Sequence, residues 1–75
     1  MDIADIPFLE VESSNIEAVH YDLMNKELYV KFTSGSIYSY QNVEHHVYDS
    51  LVNADSIGKF FGKEIRNEYD FERLS

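Results

Sequence analysis

Half of the basic residues in this chain fall close together near its C-terminal end, at the spacing of a helical stripe. They are Lys59, Lys63 and Arg66, three of the six lysines and arginines among 75 residues. At about 100° per residue these side chains share one sector of a helix, opposite its apolar positions. Ser56 and Gly58 precede them, and a serine hydroxyl with free backbone N–H groups at a helix start is chemistry that binds an anion. A helix cap followed by a solvated charged face is the alternative interpretation, and it is the favoured one.

Tyr38 and Tyr40 form the second group of residues with binding chemistry. Side chains at alternate positions of a strand share a face, and sheet-based RNA-binding proteins stack successive bases on aromatic rings placed in this way. Tyr29 would join them from the neighbouring strand. In a small α+β domain, alternating aromatic residues more often pack in the core, so core packing is the favoured interpretation of both tyrosines.

Catalytic and metal chemistry has weaker support in the sequence. His45 and Asp49 are four residues apart on one predicted helix face, but two ligands do not make a closed metal site. Ser13 and Ser14 lie in no Gly-x-Ser-x-Gly elbow that would indicate a nucleophile. The chain has no cysteine, which excludes disulfides and thiolate metal sites. We therefore predict no catalytic residue, no metal, no cofactor and no enzyme activity.

Charge and hydropathy limit the partners further. The 14 acidic and 6 basic residues give a net charge of −8, which repels phosphate backbones and anionic lipid at long range. The first residues are acidic and lack the long apolar core of a secretory signal, and the sequence has no apolar run of membrane-spanning length. We therefore expect a cytoplasmic protein that binds no membrane, with RNA binding disfavoured by the net charge.

Alternating apolar residues predict three antiparallel strands, over about 16–21, 27–33 and 36–40. Gly35 lies between the last two strands and supplies the positive φ that a tight reversal needs. In the first strand the apolar residues do not alternate cleanly, which indicates a bulge or a strand covered on both faces.

Two helices are predicted to follow the strands. Asn42 is the expected N-cap of a helix over about 43–53, and Ser56 is the expected N-cap of the next. Gly62 leaves the length of the second helix open, since a glycine is also a common C-terminal stop. The residues predicted to be buried together are Leu28, Val30, Phe32, Val47, Leu51, Phe60, Phe61 and Ile65.

These elements predict a small single-domain α+β fold, in which two short helices pack on one face of a three-stranded antiparallel meander. We assign residues 1–12 to an N-terminal arm and residues 13–75 to the domain.

A series of short motifs runs in order through this domain. The motifs are Ser13-Ser14, Tyr21-Asp22, Leu28-x-Val30-x-Phe32, Ser34-Gly35, Tyr38-x-Tyr40, Val43, Val47-Tyr48, Ala54-x-Ser56-x-Gly58, Phe60-Phe61, Ile65-Arg66 and Tyr69. In order and spacing the series resembles the KTSC domain, a module named for its occurrence at the C-terminus of some lysyl-tRNA synthetases. Glu44 stands where that family commonly has proline, and glutamate also suits a first helical turn. The resemblance implies that the chain is a KTSC-like domain, and it implies no particular reaction. It suggests RNA binding mainly because the domain occurs in lysyl-tRNA synthetases.

Three classes of function remain. The first is a non-catalytic accessory module that binds a protein partner, because an acidic surface with exposed sheet edges suits docking onto a basic protein patch. The alternative is an RNA-binding accessory domain that uses the stripe of Lys59, Lys63 and Arg66 together with Tyr38 and Tyr40. A small hydrolase or metal enzyme is a distant third.

Overall fold

Residues 2–75, which the computed structural model describes, form a five-stranded antiparallel sheet with two helices. Each strand lies beside the next one in the chain. The strands are β1 (Leu9–Glu10), β2 (Ile16–Asp22), β3 (Glu27–Phe32), β4 (Ile37–Tyr40) and β5 (Phe71–Arg73). Helix α1 spans His45–Val52, and α2 spans Ile57–Phe60 and continues into a π-helical turn at Phe61–Ile65; a 3₁₀ turn covers Ile3–Asp5. No helix in this part of the chain is long and apolar enough to cross a membrane.

The three predicted strands are present, but the predicted number of strands is wrong, because one further strand lies at each edge of the sheet. Leu9 pairs with Val19 in β2, and Phe71 pairs with Tyr40 in β4. With two and three residues, β1 and β5 are too short to show alternation. The segment assigned to an arm thus contains the 3₁₀ turn and β1, while Met1 lies outside the described residues.

An irregularity in β2 explains its apolar pattern. The pairing of β2 with β3 shifts between Ile16 and Ala18, as expected for a bulge. One extra residue reverses the alternation, so Ile16 and Val19 pack together in the core although they are three residues apart. Of the two alternatives that the sequence left open, a bulge or a strand covered on both faces, the register shift supports the bulge.

The two helix starts differ in how well the sequence predicts them. The Ser56 hydroxyl accepts a hydrogen bond from the Lys59 backbone N–H at 3.3 Å, so the predicted cap of α2 is confirmed. Asn42 is not the cap of α1. It has a φ of 58° in the left-handed region, which asparagine tolerates, and the helix begins two residues after the buried Val43. The Val43 N–H donates to the Lys26 carbonyl at 2.9 Å, which fixes the approach to the helix.

The core lies between the sheet and the helices. Of the eight residues predicted to be buried, five are almost completely removed from solvent: Leu28, Val30, Leu51, Phe61 and Ile65. The other three, Phe32, Val47 and Phe60, are half-buried and pack against this core. Phe61 is its aromatic centre, with ring centroids 5.5 Å from Phe32 and 5.4 Å from Tyr40.

Candidate functional site

A groove of about 500 Å³ opens between strands β3 to β5 and the segment formed by α2 and the π-helical turn. Its aromatic lining residues are Phe32, Tyr38, Tyr40, Phe61 and Phe71. Its polar lining residues include Asn15, Ser34, Ser36, Arg66 and Asn67. The groove thus combines five aromatic residues with several polar side chains, and its volume lies within the range of small-ligand binding sites.

Strand register places the aromatic side chains in the groove. Tyr38 of β4 lies opposite Val30 of β3, and Tyr40 of β4 lies opposite Phe71 of β5. Directly opposed residues of antiparallel strands lie on the same face, so the core face of β3 continues across β4 and β5. Helices α1 and α2 leave the β5 end of this face open, and Phe71 remains 57% exposed there.

The two predicted tyrosines, Tyr38 and Tyr40, differ in how deeply they are buried. Tyr40 is 4% exposed and packs against Phe61, so it is a core residue. The pKa of Tyr40 is raised to about 12, chiefly by burial and in part by the nearby Tyr38, while the charge of Arg66 acts in the opposite direction. Tyr38 is half-buried, lies 5.8 Å from Phe71 between ring centroids, and is open to the groove. A ligand would therefore contact Tyr38 and Phe71 over more of their surface than Tyr40.

Two arginines bring positive charge to this groove. Arg66 lines it, and the guanidinium carbon of Arg73 lies 6.0 Å from the centroid of the Tyr38 ring, at the outer limit of a cation–π contact. Among the described residues neither arginine takes part in a salt bridge, whereas Lys26 and Lys31 are paired with acidic side chains. The groove is thus a locally cationic site in an acidic protein.

The three cations of the predicted stripe do not line one common groove. Lys59 lines a separate hollow together with Glu12 and Asp55, while Arg66 lines the aromatic groove. Lys63 is exposed and lines neither. The physical reason is the π-helical turn between them, which has more residues per turn than the α-helix assumed from the spacing.

Gly58 makes room for a neighbouring side chain. A Cβ atom at Gly58 would lie 2.6 Å from Asn15 Oδ1 and 3.3 Å from Ser13 Oγ. The Ser13 hydroxyl donates to Asn15 Oδ1 at 3.0 Å, and this contact holds the amide at the wall of the groove. Ser56, the other predicted anion-binding residue, uses its hydroxyl to cap α2.

His45 and Asp49, the two residues considered as metal ligands, lie close together on α1. His45 Nδ1 lies 3.4 Å from Asp49 Oδ2, and both side chains are more than half exposed. Residues 2–75 contain no group of three or more histidine, aspartate or glutamate side chains placed to hold a metal ion.

Comparison with known proteins connects this fold to one family. Residues 12–69 match the KTSC domain. The chain belongs to the KTSC domain family. A crystal structure of a KTSC domain protein from Yersinia pestis superposes with a TM-score of 0.88 at 26% sequence identity, over 91% of this chain and 96% of that one.

Relatives of two kinds share the domain. The lysine–tRNA ligase of a Nostoc species is 39% identical over 74 residues, which is 99% of this chain but only 13% of the ligase. The chain therefore spans about an eighth of the length of the ligases that it matches. A protein of Tsukamurella paurometabola is 46% identical over 50 residues, covering 67% of this chain and 75% of that protein. The KTSC domain is a small accessory domain whose family is not known as catalytic.

The predicted site residues of this KTSC domain did not include Asn15 and Phe71, which line the groove, or Arg73, whose guanidinium lies beside Tyr38. Phe71 and Arg73 alternate as Tyr38 and Tyr40 do, but they are not part of a longer alternating run such as the one from Leu28 to Tyr40. The position of Asn15 beside Gly58 depends on a contact between distant parts of the chain, which no local pattern indicates.

Proposed function

We propose that this KTSC domain is a non-catalytic docking module that binds a segment of a partner protein in the aromatic groove. The observation that carries the proposal is the combination of an open aromatic floor with two arginines that form no salt bridge in the described residues. Aromatic residues and arginine are the side chains that most often dominate binding energy at protein interfaces.

Exposure and charge indicate what kind of segment fits. Phe71 is 57% exposed and Tyr38 is half-buried, so apolar side chains of a partner have surface to cover there. Arg66 and Arg73 favour carboxylates at the rim of the groove. The net charge of the whole chain is −8, which repels acidic partners at long range and would confine such a segment to the groove.

An RNA-binding accessory function is the second candidate. It is supported by the presence of Arg66, Tyr38 and Phe71 in one groove, because stacked rings beside a guanidinium bind single-stranded RNA in other proteins. The lysine–tRNA ligases among its relatives act on an RNA. The burial of Tyr40 and the separate position of Lys59 remove two of the groups on which the sequence argument relied. We rank RNA second for these reasons.

A library of displayed twelve-residue peptides, selected on the immobilised domain, tests the proposal. Selected peptides are then measured by fluorescence anisotropy against the wild type, Phe71→Ser and Arg66→Gln. Both groove variants should bind about tenfold more weakly, because each removes an exposed side chain that the partner segment would contact.

Two matched variants control for apolar loss and charge loss elsewhere. Leu23→Ser removes another exposed apolar side chain, and Lys26→Gln removes another positive charge, both outside the groove. These variants should bind as the wild type does. Selection of no peptide above background, or of peptides that bind the groove variants equally well, would contradict the proposal. Twelve-residue single-stranded RNA carried through the same measurements tests the second candidate.

A further inference from the structure

The outer side of β5 is an unpaired sheet edge. In the described chain the only strand beside β5 is β4. The Gln41 N–H donates to the Asp70 carbonyl at 2.9 Å, and the Leu74 N–H donates to the Ile37 carbonyl at 2.7 Å. Hydrogen-bonded and non-hydrogen-bonded pairs alternate along an antiparallel ladder, so the residue of β5 bonded to β4 between these two is Glu72. The N–H and C=O groups of Phe71 and Arg73 therefore point away from the sheet, toward an incoming strand.

The side chains of β5 alternate between the two faces of the sheet. Phe71 and Arg73 pair with Tyr40 and Tyr38, so they lie on the face of the sheet that forms the groove, and Glu72 lies on the opposite face. A strand added outside β5 would place its own residues directly opposite these three. Opposed side chains on one face come within about 5 Å at Cβ, which is close enough for ion pairs and aromatic contacts.

The charge at this edge selects among peptide segments. The Arg73 guanidinium donates to Ser36 Oγ at 3.4 Å and to the main-chain oxygen of Ser75 at 3.1 Å, and it forms no salt bridge with an Asp or Glu side chain of residues 2–75. An opposed carboxylate would complete an ion pair on the groove face. An opposed basic residue would do the same for Glu72 on the other face. Phe71 is covered best by an aromatic or β-branched side chain.

We propose, building on the docking function above, that the partner segment binds as a sixth strand antiparallel to β5. It carries an acidic residue opposite Arg73, a basic residue opposite Glu72, and an aromatic or β-branched residue opposite Phe71. In an antiparallel partner the acidic residue comes first, so the recognised order is acidic, basic, aromatic. Main-chain hydrogen bonds supply part of the affinity and the alternating side chains supply the specificity, as in other cases of strand addition.

A nine-residue peptide with the centre Glu-Lys-Tyr flanked by serine and threonine is the probe. Its affinity for the wild type is compared with that of a peptide in which lysine replaces the glutamate. Arg73→Glu should weaken the Glu-Lys-Tyr peptide about tenfold and strengthen the Lys-Lys-Tyr peptide by a similar factor, because the charges exchange places. If the Arg73→Glu variant bound neither peptide, or if its affinity for either peptide equalled that of the wild type, the assignment of this contact would be overturned.

Methylated peptides test the strand addition itself, with the protein unchanged. The residues opposite Phe71 and Arg73 direct their N–H groups toward β5, and the central lysine directs its own away. An N-methyl group on the tyrosine should therefore abolish detectable binding, whereas an N-methyl group on the lysine should change it less than about threefold. Equal effects of the two methyl groups would overturn the inference. The reversed centre, Tyr-Lys-Glu, should bind more weakly, and tighter binding of it would overturn the antiparallel direction.

The two levels of the proposal fail in different ways. Displayed peptides that bind the groove while methylation of the tyrosine has no effect would leave the docking function intact and refute strand addition. Absence of any peptide that depends on Phe71 or Arg66 would refute the docking function itself.

Discussion

Aromatic residues in the groove differ in how far the fold removes them from water. Tyr40 is 4% exposed, whereas Phe71, its partner across the strands, is 57% exposed. The first contributes mainly to stability, because its ring is already packed against Phe61 and Phe71. The second still has apolar surface to lose on binding. In the sequence Tyr40 and Phe71 look alike, as aromatic residues of short strands. Their different burial in the structure is what assigns one to stability and the other to binding.

The stability of the domain should fall at alkaline pH because of Tyr40. Its pKa is raised to about 12 by burial, whereas an exposed tyrosine titrates near 10. Between these values the unfolded chain has released a proton that the folded chain still holds, so folding becomes less favourable. The contribution of Tyr40 is complete below a pH of about 10 and is lost as the pH rises through about 12.

Urea unfolding at a series of pH values measures this effect, and Tyr40→Phe is the variant that removes it. The pKa values of Tyr21, Tyr29 and Tyr48 are also raised, chiefly by burial, so a smaller slope should remain in the variant. A pH profile of Tyr40→Phe that coincides with the wild type would show that Tyr40 does not titrate in this way.

Gly58 and Gly62 are a matched pair at the same scale. A Cβ atom at Gly58 would displace the Asn15 amide, while a Cβ atom at Gly62 meets nothing within 4 Å. We expect Gly58→Ala to be less stable than Gly62→Ala by about 1 to 2 kcal/mol, since only the first breaks a hydrogen bond while both gain helix propensity. Thermal unfolding of the two variants checks this, and equal stabilities would contradict the close approach of Asn15.

The secondary-structure elements depend on each other for their stability. Phe61 begins the π-helical turn and packs on Phe32 of β3 and Tyr40 of β4, so one side chain joins the helix segment to two strands. Tyr21 of β2 donates its hydroxyl proton to the Val43 carbonyl at 2.5 Å, just before α1. The positions of both helices on the sheet are therefore fixed by a few specific contacts.

Phe61→Ala should cost about 3 to 5 kcal/mol, because it removes a large buried ring and leaves a cavity between the sheet and the helix segment. For so short a chain this is a large part of the whole free energy of unfolding. Denaturant unfolding is the measurement, with Phe71→Ala as an exposed control that should cost much less. An unchanged midpoint in Phe61→Ala would contradict the packing of the two layers.

The β3–β4 turn should be sensitive to the residue at position 35. Gly35 has a φ of 96°, as predicted from the sequence, and there is open space where a Cβ would lie. Gly35→Val should therefore destabilise the domain through backbone strain alone, by roughly 1 to 3 kcal/mol. Gly35→Asn should cost less, because asparagine tolerates positive φ better. Equal stability of the two variants would show that strain at this position is not the cause.

The sequence predicts elements whose residues show their own periodicity. Strands β2 to β4, the turn at Gly35, the cap at Ser56 and most of the core follow from alternation, capping chemistry and helical spacing. Strands β1 and β5 do not, because pairing with longer strands creates them. The site shows the same division. Tyr38 and Arg66 carry recognisable chemistry, but their meeting with Phe71 and Arg73 depends on the register of β5 and on a π-helical turn that no local pattern indicates.

On the scale of the whole molecule, charge decides between the two candidate partners. The net charge is −8, and the cations that form no salt bridge in the described chain lie at the groove and along the α2 segment. A protein segment with a few carboxylates can approach one small cationic groove. A continuous phosphate backbone also meets the surrounding acidic surface, which opposes binding at low salt.

Titration with single-stranded RNA checks this argument. Binding along Lys59, Lys63 and Arg66 would give a log–log dependence on salt with a slope near 2, from about 0.7 for each phosphate contact. We expect little or no binding at moderate salt. Tight, salt-sensitive binding that is lost in Lys63→Gln but retained in Lys26→Gln would place RNA first.

The most direct test of the account is an NMR titration of the ¹⁵N-labelled domain with the Glu-Lys-Tyr peptide. We expect the backbone amide signals of Phe71 and Arg73 to move most, because the added strand hydrogen-bonds there, followed by those of Tyr38 and Arg66 in the groove. The signals of the β2–β3 turn around Met24 should stay in place, although that residue is 91% exposed. Shifts centred on that turn or on α1, or no shift at millimolar peptide, would contradict the claim that the β5 edge and its groove form the binding site.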